Sequence, residues 1–195
     1  SLWGIRNTGQ FGGTPDMDMD GDEAWDITTG SGAVVAVVDT GLVPGGADGI
    51  GCVKPGYDAV NGDNDPLDGD GHGTHVSGTV AQTTNNGIAC AGMAYGACVM
   101  PVKVLGDDGS GSFADIAEGI YWAVNNGADV INLSLGIDPR YYVTNDPIVD
   151  PALDYAYANN VTVVCASGND GWSRNVGYPA SYTTTIAVAA SDYAD

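Results

Sequence analysis

The sequence predicts an α/β fold: a three-layer domain in which helices flank a central, mostly parallel sheet. Three observations predict it. Five short apolar runs are continuous rather than alternating, which suits strands buried on both faces. Segments with helical apolar spacing lie between them, and strands alternating with helices require parallel pairing through crossovers. The 195 residues are enough for one well-buried domain.

The first strand is residues 33–38 (AVVAVV), ending at Asp39-Thr40-Gly41. The segment 72–83 carries Val76 and Val80 on one side of a helix. Residues 99–105 form the next strand. The segment 112–126 is a helix, with Ser112 as N-cap, Ile116, Ile120 and Val124 on its apolar face, and Gly127 as its stop. Strands at 130–135, 161–166 and 185–190 follow, with a shorter helix at 151–160. Function in such sheets gathers at the carboxyl ends of the strands. Three of these ends carry polar residues: Asp39-Thr40-Gly41, Ser134-Leu135-Gly136 and Ser167-Gly168-Asn169.

Charge narrows the partners. Five basic residues face 25 acidic ones, a net charge of −20, so no basic face exists for nucleic acid. No run approaches the ~18 apolar residues of a membrane-spanning helix, so no membrane partner is expected. The acid is clustered, as DMDMDGDE at 16–23 and DNDPLDGD at 63–70. Clusters of this kind serve either as a solvated surface suited to salty water or as cation sites. Of the four cysteines, none forms a CxxC pair, which excludes a zinc ribbon. Cys165 sits in an apolar run and reads as a core thiol. A secreted chain would admit one bridge from Cys52 to either Cys90 or Cys98.

Asp39 follows six apolar residues, where a carboxylate is costly unless paired. Its natural partner is His72, thirty-three residues on and at the start of the next long helix. A buried carboxylate fixes the tautomer of such a histidine and stabilises its imidazolium. Asn169 offers an amide donor at another strand end, as a developing oxyanion needs.

The segments VVDTG, GHGTHVSGT and ASGND, in that order, resemble the three motifs of the subtilisin-like serine proteases. VLGDDGSGS at 104–112, NLSLG at 132–136 and GYPASY at 177–182 extend the resemblance over nearly the whole chain, from LWGIRNTGQ onward. It is closest to the thermitase-like branch of secreted bacterial enzymes. The resemblance implies a secreted serine endopeptidase prone to autoproteolysis. Asp39 would orient His72, His72 would act as general base and then acid, and Asn169 would bind the oxyanion. Gly109-Ser110-Gly111 and Ser134-Leu135-Gly136 would clasp an extended protein or peptide substrate by backbone hydrogen bonds. Phe113 would wall an apolar pocket, and Ser167 and Gly168 would complete the substrate-binding set. By the same resemblance the Tyr178–Pro179 bond is expected to be cis.

The family's nucleophile motif, Gly-Thr-Ser followed by a small residue or Met and then Ala, does not occur in the sequence. Residues 1–195 are therefore expected to form the N-terminal portion of one catalytic domain. A C-terminal companion segment, as in a nicked enzyme, would carry the serine. Any signal peptide or propeptide is expected to have been removed.

The resemblance also implies calcium. Asp48, with Thr84, Asn86, Ile88 and Cys90 of the loop after the histidine helix, matches the family's strong site; calcium favours such hard oxygen ligands. Asp58, Asn61, Asp63 and Asp65, with Asp68 nearby, match a second site; carboxylates this close repel one another without a cation. Asp16, Asp18 and Asp20 begin like an EF-hand loop, but position twelve is Ile27 rather than Glu, so a solvated acidic turn competes. Two other classes compete. A zinc hydrolase could use His72 and His75, but no third histidine and no HExxH motif exist. A non-catalytic calcium-binding scaffold would not need Asp39, His72 and Asn169 together. The insertion 137–149, with Arg140, Tyr141 and Tyr142, either shapes substrate choice or is an exposed loop.

Overall fold

The computed structural model describes residues 2–45, 48–88, 90–137, 139–169, 171 and 176–192. In chain order the elements that position the site are α1 (Gly21–Trp25), β1 (Val34–Asp39), β2 (Tyr57–Asp58), α2 (His72–Ala81), β3 (Cys98–Lys103), α3 (Phe113–Asn125), β4 (Val130–Leu133), α4 (Val149–Ala158), β5 (Thr162–Ala166) and β6 (Thr185–Val188). The strands form one sheet in the order β2-β3-β1-β4-β5-β6, and every pairing is parallel. The expected three-layer α/β architecture is the one observed.

The continuous apolar runs are explained by two cores. On one face Ala36, Val38, Met100, Val102, Ile131 and Leu133 pack with α3 and α4 through Ile120, Ala123, Leu153 and Ala156. On the other, Val35, Val37 and Val99 pack with α2 through Val76, Val80 and Ala81. Burying each Val, Leu or Ile side chain contributes about 1.5–3 kcal/mol, so a strand apolar on both sides is held from both sides. Ser112 caps α3 as expected, its hydroxyl accepting the Asp115 N–H. At the far edge β6 is lightly covered, with Ile186 and Val188 about half exposed.

The two-residue β2 and the five-residue α1 are too short to leave a periodic signal, and neither is predicted by the sequence. The bridge is Cys52–Cys98. Val99 N–H donates to the Cys52 carbonyl and Lys54 N–H to the Val99 carbonyl, so the chain around Cys52 lies along the start of β3, where Cys98 stands. Cys90 is a free, exposed thiol. Cys165 is a buried free thiol, as expected, and burial raises its pKa to about 12. The Tyr178–Pro179 bond is cis.

Candidate active site

Asp39 ends β1 at the carboxyl edge of the sheet, and His72 opens α2 beside it. The His72 Nδ1 lies 2.7 Å from Asp39 Oδ1. The same oxygen accepts the Thr40 N–H at 2.7 Å. The carboxylate is fully buried, whereas the imidazole is 51% exposed, so the far ring nitrogen is left toward solvent. A histidine bonded at Nδ1 and open at the other side is arranged to take a proton at Nε2.

The start of α2 explains how the ring is aimed. A helix opens with N–H groups that have no partner within it. Here the first three find partners outside the helix: His72 N–H on Asp70 Oδ1, Gly73 N–H on Thr40 Oγ1 and Thr74 N–H on Asp68 Oδ2. Gly73 must be glycine for a steric reason. A Cβ there would stand 2.3 Å from the Gly41 carbonyl oxygen. The sequence signal of a histidine followed directly by glycine is thus the mark of helix against strand at closest approach.

Thr40 is buried and bonds through every polar group it has. Besides the contacts above, its hydroxyl donates to Asp68 Oδ1 at 2.8 Å, and its carbonyl accepts the Lys103 ammonium at 2.7 Å. Lys103 pairs in register with Asp39 across β1 and β3, and it is 4% exposed. Its other partner is Asp107 at 2.9 Å.

Asp68 is the residue expected near the second calcium site. It turns inward, and its oxygens accept from Thr40 Oγ1, the N–H groups of Asp70, Gly71 and Thr74, and Thr74 Oγ1. Burial by itself would raise its pKa; the hydrogen bonds from Thr74, Gly71 and Thr40 outweigh that and hold the carboxyl well below the usual carboxylate range.

A cleft of about 680 Å³ runs from His72. Gly109, Ser110, Gly111, Phe113, Ser134, Leu135 and Gly136 are among the residues that line it. Thr40, Asp70, Leu105, Ile116, Val149, Tyr178 and Pro179 also line it, and sequence reasoning did not single them out for this. Phe113 and Tyr178 meet edge to face at 6.2 Å, and the Tyr178 hydroxyl donates to Asp150 at 2.7 Å. Burial and that carboxylate push the Tyr178 phenol far above its ordinary range, so it serves as a fixed, neutral wall. Ser167, Gly168 and Asn169 follow β5 at the same carboxyl edge as Asp39. Asn169 is exposed, and Ser167 and Gly168 stand outside the cleft lining.

The acidic segments fall into different states. Asp48 and the loop 84–90 meet: Asn86 Nδ2 donates to Asp48 Oδ1 at 2.8 Å and Gln82 Nε2 to Asp48 Oδ2 at 2.5 Å. Thr84, Asn86, Ile88 and Cys90 of this loop line a hollow with Leu2, Thr8 and Gln10. The Thr84 hydroxyl is buried there without a hydrogen-bond partner. Asp58, Asn61, Asp63 and Asp65 form a self-bonded turn instead: Asp58 accepts from the backbone and side chain of Asn61, and Asp63 from Asp65 N–H. Asp18 accepts Asn7 N–H and Asp20 N–H, while Asp16 and Asp20 adopt left-handed backbone conformations. Among the described residues no three Asp, Glu, His or Cys side chains converge as a preformed metal cage.

Comparison with known proteins identifies the family. The model of the subtilase family matches residues 30–195. A thermophilic serine proteinase from Bacillus sp. (strain AK1) is 45% identical over 175 residues, covering 89% of this chain and 42% of that protein. Thermitase from Thermoactinomyces vulgaris is 42% identical over 173 residues, covering 89% of this chain and 60% of that one. Subtilisin Savinase from Lederbergia lenta is 45% identical over 164 residues, covering 84% and 57%. The chain thus spans about half the length of the curated relatives it matches.

Proposed function

The chain belongs to the subtilase family, and from that premise we propose that it supplies the acid, the base and the oxyanion donor of a secreted serine endopeptidase. The observation that carries this reading is the 2.7 Å contact between the His72 Nδ1 and the buried Asp39 carboxylate at the head of a lined cleft. Residues 1–195 form the N-terminal part of the catalytic domain in this reading. No Gly-Thr-Ser-x-Ala motif occurs within residues 1–195, so this reading assigns the nucleophilic serine to none of them.

The chemistry follows from the groups present. An extended peptide lies between 109–111 and 134–136, held by backbone hydrogen bonds. His72 Nε2 removes the serine proton as the oxygen attacks the scissile carbonyl carbon, and Asp39 stabilises the imidazolium through Nδ1–H. The carbonyl oxygen becomes an oxyanion, for which Asn169 supplies an amide N–H. The C–N bond then breaks, His72 returns the proton to the leaving amine, and water hydrolyses the acyl-enzyme by the same proton route.

Calcium suits the Asp48 loop. The Asp48 carboxylate, the Asn86 amide oxygen and the carbonyls of Thr84, Ile88 and Cys90 would supply hard oxygen donors, the kind calcium prefers. The buried, unpartnered Thr84 hydroxyl marks the same hollow as polar. Bound there, the cation would neutralise Asp48 and hold the loop after α2.

A fluorophosphonate probe tests the enzymatic reading. It should label a serine of the complete protein, and His72→Ala should abolish the labelling. Labelling that survives His72→Ala would overturn the mechanism. A complete wild-type protein that neither labels nor cleaves a denatured protein substrate would favour the scaffold reading.

A further inference from the structure

We propose that Asp68 is a positioning residue for the Asp39–His72 pair, clamping the first turn of α2 to the end of β1 and so setting the angle of the imidazole. The proposal rests on the endopeptidase reading above. Asp68 touches neither ring nor substrate cleft; it acts through others.

Its geometry is that of a two-sided clamp. Oδ1 takes the Thr40 hydroxyl at 2.8 Å, one residue past Asp39, and the Gly71 N–H at 2.8 Å, one residue before His72. Oδ2 takes Thr74 N–H at 2.9 Å and Thr74 Oγ1 at 2.5 Å, two residues after His72. A single carboxylate thereby brackets both members of the pair. Thr74 Oγ1 in turn accepts the Val43 N–H at 2.9 Å, which ties the chain beyond β1 to the same point. Hydrogen bonds to a charged acceptor are the strong kind and hold tighter geometry than neutral ones. The group is 7% exposed, so water competes little for them.

The clamp also accounts for an unusual helix start. The N-cap position of α2 is Gly71, whose side chain can cap nothing. Asp68, three residues earlier, takes the N–H that a cap residue would. Because its other oxygen reaches Thr40, the cap cannot shift without moving the strand end. Local capping and triad alignment are one structure.

The test uses the complete protein, a small chromogenic peptide, and active-site titration so that rates are per competent site. Asp68→Asn keeps the shape but turns an amide toward N–H and O–H donors. It should lower kcat by about 10²-fold, the cost of misplacing a reacting group by about 1 Å, while KM stays within about twofold because Asp68 has no bond to residues 109–111 or 134–136, which hold the peptide in this reading. A variant whose kcat per titrated site stays within about twofold of wild type would overturn the proposal, even if its melting temperature falls; that result would mean a structural role only. If Asp68→Asn does not fold, the Thr74 pair decides. Thr74→Val should lower kcat about tenfold, the cost of one charged hydrogen bond, and Thr74→Ser, which keeps the hydroxyl, should restore it. Equal wild-type rates for both would reject the clamp. A wild-type protein that is itself unreactive toward probe and peptide would refute the endopeptidase reading instead, an outcome read before any variant is compared.

Discussion

Thr40 joins the two halves of the site: its N–H donates to the Asp39 carboxylate at 2.7 Å, and its hydroxyl accepts the Gly73 N–H of the histidine helix at 2.8 Å. Asp39 and His72 are held together by their neighbours as much as by their own contact.

Asp39→Asn should therefore leave the fold in place, since the amide oxygen still accepts the Thr40 N–H. It should lower kcat of the complete enzyme by up to about 10⁴-fold, because a neutral amide no longer stabilises the imidazolium that forms when His72 takes the proton. Steady-state kinetics at fixed pH checks this. A loss under about tenfold would mean that Asp39 does not orient His72.

Lys103→Met should destabilise the protein by about 1–3 kcal/mol, because it leaves the Thr40 carbonyl without its donor in a buried place. The contact with the exposed Asp107 contributes little. Urea unfolding monitored by circular dichroism measures the difference.

Gly73→Ala should be as costly, at about 1–3 kcal/mol for forced overpacking. Its Cβ would meet the Gly41 carbonyl oxygen at 2.3 Å and the Asp39 Cβ at 3.2 Å, so helix and strand must part. Activity should fall further than stability, since the part that moves carries His72. An unchanged kcat would show that the approach is slack.

Alkylation should separate the two free thiols. Native protein treated at neutral pH and digested should carry label on exposed Cys90 and none on Cys165, whose buried thiol titrates at about 12. The sign of the stability effect follows. Below 9.0 the thiol is protonated in both states; between 9.0 and about 12 only the unfolded chain releases the proton, so this contribution to stability is lost as pH rises.

Chelation should lower the melting temperature if the Asp48 loop holds calcium. A ligand at 100 times its dissociation constant stabilises by ~2.7 kcal/mol. Asp48→Asn should remove the response to chelator. Melting that is unchanged in excess chelator, after time for exchange, would reject the cation.

The sequence by itself determined the layers, the sheet and the central pair. Strands buried on both faces are apolar for most of their length, so β1, β3, β4 and β5 announced themselves as short apolar runs. A carboxylate at the end of such a run is costly unless paired, and with a histidine at the start of the next long helix the pair was legible as chemistry. Only the tertiary structure decided which neighbours hold them. Cys52 found Cys98 rather than Cys90 because the chain around it lies along β3. Asp68 read as one more member of an acidic cluster, yet it turned inward while Asp58, Asp63 and Asp65 bonded within their own turn. Lys103 lies inside the apolar run 99–105 and was not singled out; its meeting with Thr40 depends on the register of β3 against β1. Apolar periodicity is a local property, written every two to four residues. Hydrogen-bond partners of a charged group are set by which strand end and which helix start the fold brings face to face, and no local pattern carries that information.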